Sequence, residues 1–222
     1  MKEEFIDVYI YEGGFPFKKT PIVKWRLDYI SKLPDHERAD SFLAWRLLEE
    51  SCRKSLGREL NSLNPRKLES GKIVIDDYYV SLSHSGGQYM IAISSHPVGV
   101  DVQKVRESDK VIPQSITWSE EEKKIVDQHR SWKNYKYWTR KEALYKLYDF
   151  GIPYNDETRY KINTADHKYE GIFFNGTISY EKYFFAVASE LIREGVSPTF
   201  CFYPGDSEVV FDNQPSKNIK NI

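Results

Sequence analysis

The residues whose types and spacing can do chemistry fall first into two short stretches. One is "GVDVQ", residues 99–103. Asp101 and Gln103 lie two apart on an alternating strand, so they project from one face with roughly 7 Å between their Cα atoms. An oxygen-lined face of that kind can hold Mg²⁺, which takes carboxylates together with waters and phosphate oxygens. The same pair also suits an ordinary solvated strand edge. The other stretch is "WTRKEALYK", residues 138–146. Glu142 and Lys146 stand four apart on a predicted helix with the acid on the N-terminal side. That order also favours a plain surface ion pair of about 0.3–0.5 kcal/mol. Trp138 shares their stripe, and Trp, Glu and Lys together suit a face that is part packed and part pocket wall. Lys141 is next to Glu142 and turned about 100° around the helix from it.

Two further stretches add donors. In "SLSHSGG", Ser83, His84 and Ser85 sit at a strand end beside Gly86 and Gly87. Small residues let a ligand approach the backbone, and Ser and His can donate to phosphate oxygens. Lys67 and Lys72 lie just upstream and can add positive charge. A tight turn with polar trim explains the same residues. Ser83 and His84 are not read as a nucleophilic pair, because strand neighbours point to opposite faces. Neither a Gly-x-Ser-x-Gly elbow nor a Walker-type phosphate loop occurs. In "WSEEE", Ser119 and Glu122 form a capping box, which would return the Glu122 side chain to the Ser119 backbone.

The elements that must position these residues are mixed. "FIDVYIYEGG" alternates and stops at Gly13-Gly14, as a strand does. "PDHERADSFLAWRLLEESCRKSLG" is a long helix, with Pro34 suited to its first turn and Gly57 to its C-terminal cap. Phe42, Trp45, Leu48 and Cys52 recur at helical spacing and are expected as its buried stripe. Two strand runs flank "SHSGG". Val98, Val100 and Val102 then alternate with Gly99, Asp101 and Gln103 on a further strand. One helix opens at Ser119 and another spans residues 131–150. Later strand runs are broken by Asn175-Gly176, a hairpin-turn signal, and the tail "SKNIKNI" is expected to fray. Helices mixed with antiparallel-looking strands make the chain α+β. "SSHPVG" is the seam between two halves, residues 1–97 and 98–222.

Composition narrows the function classes. The chain has 222 residues, enough for a large core, and 15% of them are aromatic, which excludes a disordered chain. Its 32 Lys and Arg balance 33 Asp and Glu, so no global field recruits nucleic acid and any anion-binding surface must be local. The two cysteines, Cys52 and Cys201, lack metal-ligand spacing. The opening "MKEEFIDVYI" lacks the apolar core of a signal peptide, and no apolar run approaches the roughly 18 residues of a membrane span. A cytoplasmic protein without membrane contact is expected.

The order of the motifs says more than any one of them. "SLSHSGGQYMIAIS", "VGVDVQ", "WSEEE" and "WTRKEALYK", in that sequence, resemble the 4′-phosphopantetheinyl transferases of the larger, monomeric Sfp type. The resemblance implies two similar α+β halves with the active site in the cleft between them. It implies transfer of the 4′-phosphopantetheine arm of coenzyme A to a serine of an apo acyl or peptidyl carrier protein, releasing adenosine 3′,5′-bisphosphate. It makes Asp101 and Glu142 ligands of Mg²⁺, with Gln103 a weaker ligand or the holder of a metal-bound water. Glu142 or Glu122 would take the serine proton, and Lys146 would meet a phosphate and the leaving group. Ser83 and His84 would hold coenzyme A, His84 by the 3′-phosphate that Arg38 also grips. Lys72 would lie near the adenine nucleotide, and Lys141 would be a further coenzyme A contact. The chain departs from the family pattern at Ile73, Ser81 and Gln103, which stand for proline, asparagine and, in some members, glutamate. A non-catalytic coenzyme A or nucleotide-binding protein of the same fold is the alternative. Acidic carriers call for a local basic or apolar docking patch. Asp101→Ala is expected to abolish transfer while leaving the fold largely intact.

Overall fold

The structure is a computed structural model that describes residues 3–12, 22–68, 72–105, 120, 122, 124, 133–148, 170–178, 182–203, 209–211 and 219–221. Side-chain alternation builds two sheets. In β1 (Ile6–Glu12), Ile6, Val8 and Ile10 face one way and Tyr9 and Tyr11 the other, and all five are buried. β5 (Gln88–Ser94) runs antiparallel to β1 and divides in the same way, with Met90 and Ala92 against Tyr89, Ile91 and Ile93. β2 (Arg66–Lys67), β3 (Ile73–Ile75), β4 (Tyr78–Ser85), β9 (Thr199–Tyr203) and β11 (Ile219–Asn221) complete a seven-stranded sheet in the order β11-β9-β1-β5-β4-β3-β2. The second sheet holds β6 (Gly99–Lys104), β7 (Phe173–Ile178), β8 (Tyr183–Ala188) and β10 (Val209–Phe211), in the order β10-β7-β8-β6.

Three buried clusters stack these elements into four layers. Helix α2 (Asp35–Leu56) lays Trp45, Leu48 and Cys52 against Tyr9, Tyr11 and Ile91 on the outer face of the first sheet. The sheets then share a core, Ile6, Val8, Ile10, Met90 and Ala92 meeting Val98, Val100, Val102, Phe185 and Val187. Helix α3 (Lys133–Tyr148) covers the far face of the second sheet through Ala143, Leu144 and Leu147 on Phe173, Ala186 and Ala188. Each fully buried side chain of this size contributes about 1.5–3 kcal/mol relative to an exposed one. Helix α1 (Lys24–Ser31) braces α2 through Trp25, whose ring meets that of Trp45 edge-on at 5.3 Å. A last short helix, α4 (Glu190–Arg193), follows β8.

A three-strand segment of the first sheet, β1-β5-β4, has a counterpart in the second, β6-β8-β7. In the first, β1 leads into α2 and the chain returns as the antiparallel pair β4–β5, with β5 beside β1. In the second, β6 leads into α3 and the chain returns as β7–β8, with β8 beside β6. The expected α+β class holds. Residues 95–98, within the expected seam, carry the chain from β5 in one sheet to β6 in the other. No helix among the described residues is long and apolar enough to cross a membrane.

Three local expectations change, and a fourth lies partly outside the described residues. Asn175-Gly176 is no turn: both residues lie inside β7, paired with Ala186 and Phe185. A full strand partner outweighs the local turn preference, and Arg140 Nε donates to Asn175 Oδ1 at 3.1 Å. Phe42 is 40% exposed instead of joining the α2 stripe, and the Arg46 guanidinium lies 5.0 Å over its ring. The tail does not simply fray, because Ile219–Asn221 runs parallel to β9. Glu122 is fully buried against Lys141, while Ser119, the expected cap, lies outside the described residues. Gly57 caps α2 as expected, in the left-handed conformation at φ 64°.

Candidate active site

Close packing of α3 on β6 builds the site. A Cβ on Gly99 would stand 1.9 Å from the Ala143 carbonyl oxygen and 2.5 Å from the Leu147 nitrogen, so only glycine lets the helix backbone come this near. Strand alternation then turns Asp101 and Gln103 toward α3, while Val100 and Val102 enter the shared core. Asp101 is only 2% exposed and Glu142 only 5%.

Three elements converge on the Asp101 carboxylate. Ser83 of β4 donates its hydroxyl to Oδ1 at 2.7 Å. Lys146 of α3 donates to the same oxygen at 2.8 Å and to the Val100 carbonyl at 3.0 Å. Gln103 donates its amide to Oδ2 at 2.9 Å. The i,i+4 spacing of Glu142 and Lys146 therefore does not spend the lysine on a simple surface pair: its ammonium reaches across to β6.

The "SLSHS" run has a second task. β6 is the last strand of its sheet, so half of its N–H groups point away from β8 and need other partners. Ser81, Ser83 and Ser85, alternating on one face of β4, accept from Val100, Val102 and Lys104 at 3.0, 3.3 and 3.0 Å. Side-chain hydroxyls thus stitch the two sheets together where, among the described residues, no strand pairs with β6 on this side. Ser81 and Ser85 were not singled out for this role; their i,i+2 spacing was the available signal.

The remaining expected residues spread over four places. His84, beside Ser83, points to the α2 face, as strand alternation requires. Its ring stacks on Tyr89 at 5.6 Å, and its Nδ1 stands 4.0 Å from Asp40 Oδ2. Tyr89 donates its hydroxyl to the other Asp40 oxygen at 2.5 Å. Partial burial lowers the His84 pKa from its ordinary value and Lys146 adds to the effect, while Asp40 and Asp101 oppose it. Tyr89 and Asp40 carry no sequence signal, because their link to His84 exists only across β4, β5 and α2. Arg38 is exposed, donates to the Leu33 carbonyl at 2.8 Å and pairs with Asp35 at 2.8 Å. Glu122 and Lys141 form a 2.6 Å ion pair sealed from solvent. Lys72 donates to the Lys146 and Leu147 carbonyls, both at 3.1 Å.

The donor types expected at this site are those of a hard divalent cation. Asp101, Glu142 and the amide oxygen of Gln103 are the oxygen donors that Mg²⁺ takes. Among the described residues, Asp101 Oδ1 accepts from Ser83 and Lys146, and Oδ2 accepts from Gln103. No three His, Cys, Asp or Glu side chains converge among the described residues; the expected trio holds two carboxylates, and its third member is an amide.

The Asp101 centre and the helix packed on it fall in the part of the chain that matches a known family. Residues 97–201 match the 4′-phosphopantetheinyl transferase superfamily. The chain is also 29% identical, over 161 residues, to the 4′-phosphopantetheinyl transferase gsp of Aneurinibacillus migulanus, an alignment that covers 63% of this chain and 68% of that protein.

Proposed function

We propose that the chain transfers the 4′-phosphopantetheine group of coenzyme A to a serine of an apo acyl or peptidyl carrier protein, releasing adenosine 3′,5′-bisphosphate. The observation that carries this reading is the convergence of Ser83, Gln103 and Lys146 on buried Asp101, inside the region that matches the family. Attack by the serine oxygen on the pantetheine-bearing phosphorus breaks the pyrophosphate bond, so positioning and charge neutralisation dominate catalysis. A Mg²⁺ ion bound by Asp101 and Glu142, with Gln103 beside them, would neutralise pyrophosphate charge and polarise the phosphoryl oxygens.

The side chains have distinct tasks. Lys146 commits two of its three ammonium protons to Val100 and Asp101, which leaves the third for a phosphate oxygen of the leaving group. Glu142 takes the proton from the carrier serine. Glu122 is the poorer base, since it is fully buried and bound to Lys141; this pair supports α3 from beneath. Ser83 holds Asp101 at the seam, and His84 and Arg38 would take the 3′-phosphate of coenzyme A. The matching three-strand segments of the two sheets support a two-halved architecture with the ligand between the halves. For docking of an acidic carrier, exposed Tyr29 under Arg26 and Lys67 and exposed Phe42 under Arg46 offer cationic-aromatic contacts. We place the enzyme in the cytoplasm as a monomer.

The test incubates the protein with coenzyme A, Mg²⁺ and a panel of apo acyl and peptidyl carriers and reads intact mass. One carrier should gain a phosphopantetheine. If every carrier stays unmodified while another phosphopantetheinyl transferase loads it, the reading fails. Coenzyme A binding without transfer would mark the non-catalytic alternative.

A further inference from the structure

The described part of α3 runs to Tyr148, and carbonyls toward a helix C-terminus take partners from outside the helix. Lys72, on the residue entering β3, supplies donors to two of them, Lys146 O and Leu147 O, both at 3.1 Å. A cation there also complements the negative end of the helix dipole. The first of these carbonyls belongs to the residue whose own ammonium reaches back to Asp101 and Val100. Lys72 and Lys146 therefore form a two-step link from the first sheet, through α3, to the β6 edge of the second.

We propose that Lys72 is a positioning residue that fixes the turn of α3 around Lys146 and Leu147 and, through it, the place of the Lys146 ammonium against Asp101. Two of its protons are held by carbonyls of α3, which ties the residue to the helix. A sub-ångström shift of Lys146 would be felt in turnover, because displacements of about 1 Å in catalytic groups can cost about a hundredfold. The kinetic consequence rests on the transferase reading above; the structural one does not.

The experiment compares Lys72→Met and Lys72→Arg with the wild-type chain. Lys72→Met should lower kcat for carrier loading about tenfold and leave the coenzyme A KM within about twofold, the pattern of an interaction realised in the transition state. Lys72→Arg keeps a cationic donor for the carbonyls and should recover most of kcat. Amide hydrogen exchange at residues 145–148 should quicken in Lys72→Met and stay near wild type in Lys72→Arg. If Lys72→Met does not fold, Lys72→Gln is read in the same way. A coenzyme A KM that rises while kcat holds would overturn the proposal and make Lys72 a direct ligand contact; unchanged exchange at residues 145–148 would overturn it too. If the wild-type chain loads no carrier, the transferase reading fails, and the exchange result still decides the role of Lys72.

Discussion

Lys141 and Glu122 form an ion pair of 2.6 Å in which both side chains are sealed from solvent. Burial lowers the Lys141 pKa below the ordinary lysine value, and the bond to Glu122 works against that shift. Removing one partner strands a buried charge, so Glu122→Gln should cost about 3–5 kcal/mol in urea unfolding, and Glu122→Leu with Lys141→Met together much less. The pH dependence has a definite sign. The unfolded lysine binds its proton below about 10.5 while the folded one still lacks it, so stability rises with pH across that window. Glu122→Gln should extend this window to lower pH. A single-variant cost no larger than that of the double variant would refute the pairing argument.

Asp101 combines the proposed metal site with structure. It accepts from Ser83, Gln103 and Lys146 while 2% exposed, so the expectation that Asp101→Ala spares the fold is revised. Asp101→Ala should lose about 2–3 kcal/mol, because three donors lose their acceptor. Asp101→Asn keeps one acceptor oxygen and should lose less. Both should lose transfer, which separates the chemical role from the structural one by comparing denaturant midpoints with loading rates.

Gly99 is fixed by contact rather than by turn geometry. In Gly99→Ala the new methyl group meets the Ala143 and Leu147 backbone, which cannot rotate away as a side chain would. Overpacking of this kind typically costs about 1–3 kcal/mol. The substitution should also slow transfer, since α3 carries Glu142 and Lys146. Unfolding midpoint and loading rate measured on the same variant check both effects.

His84 should make stability sensitive to mildly acidic pH. Burial, the largest influence, and Lys146 lower its pKa below the ordinary value of 6.5. Between the lowered pKa and 6.5 the unfolded chain binds more protons, so stability falls as pH drops through this window. His84→Ala should flatten that part of the profile, and Asp40→Asn, which removes a charge favouring the imidazolium, should steepen it. Under the proposed function, His84→Ala should also narrow the preference for coenzyme A over 3′-dephospho-coenzyme A. Calorimetric binding of both ligands at pH 6 and 8 reads this directly.

Local features of the sequence were legible because near neighbours decide them. The left-handed cap at Gly57, the alternation of β1 and the opposed faces of Val100 and Asp101 all follow from covalent geometry and short-range pattern. Asn175-Gly176 misled for the same reason: its turn preference is local, while its pairing with β8 is set by the whole sheet. Phe42 has the helical spacing of a core residue, yet the rotation of α2 on the first sheet leaves it outward, under Arg46.

By itself the sequence determined the α+β class, the presence of α2 and α3, the strand that carries Asp101 and Gln103, and the motif order that points to phosphopantetheinyl transfer. Only the tertiary structure decided which groups meet. Ser83, Gln103 and Lys146 reach Asp101 from three elements, Glu122 pairs with Lys141, and Lys72 meets the Lys146 and Leu147 carbonyls of α3. Spacing along the chain fixes which face of an element a side chain occupies. The partner across that face depends on how the two sheets pack and how close Gly99 lets α3 come, and those distances are absent from any local pattern.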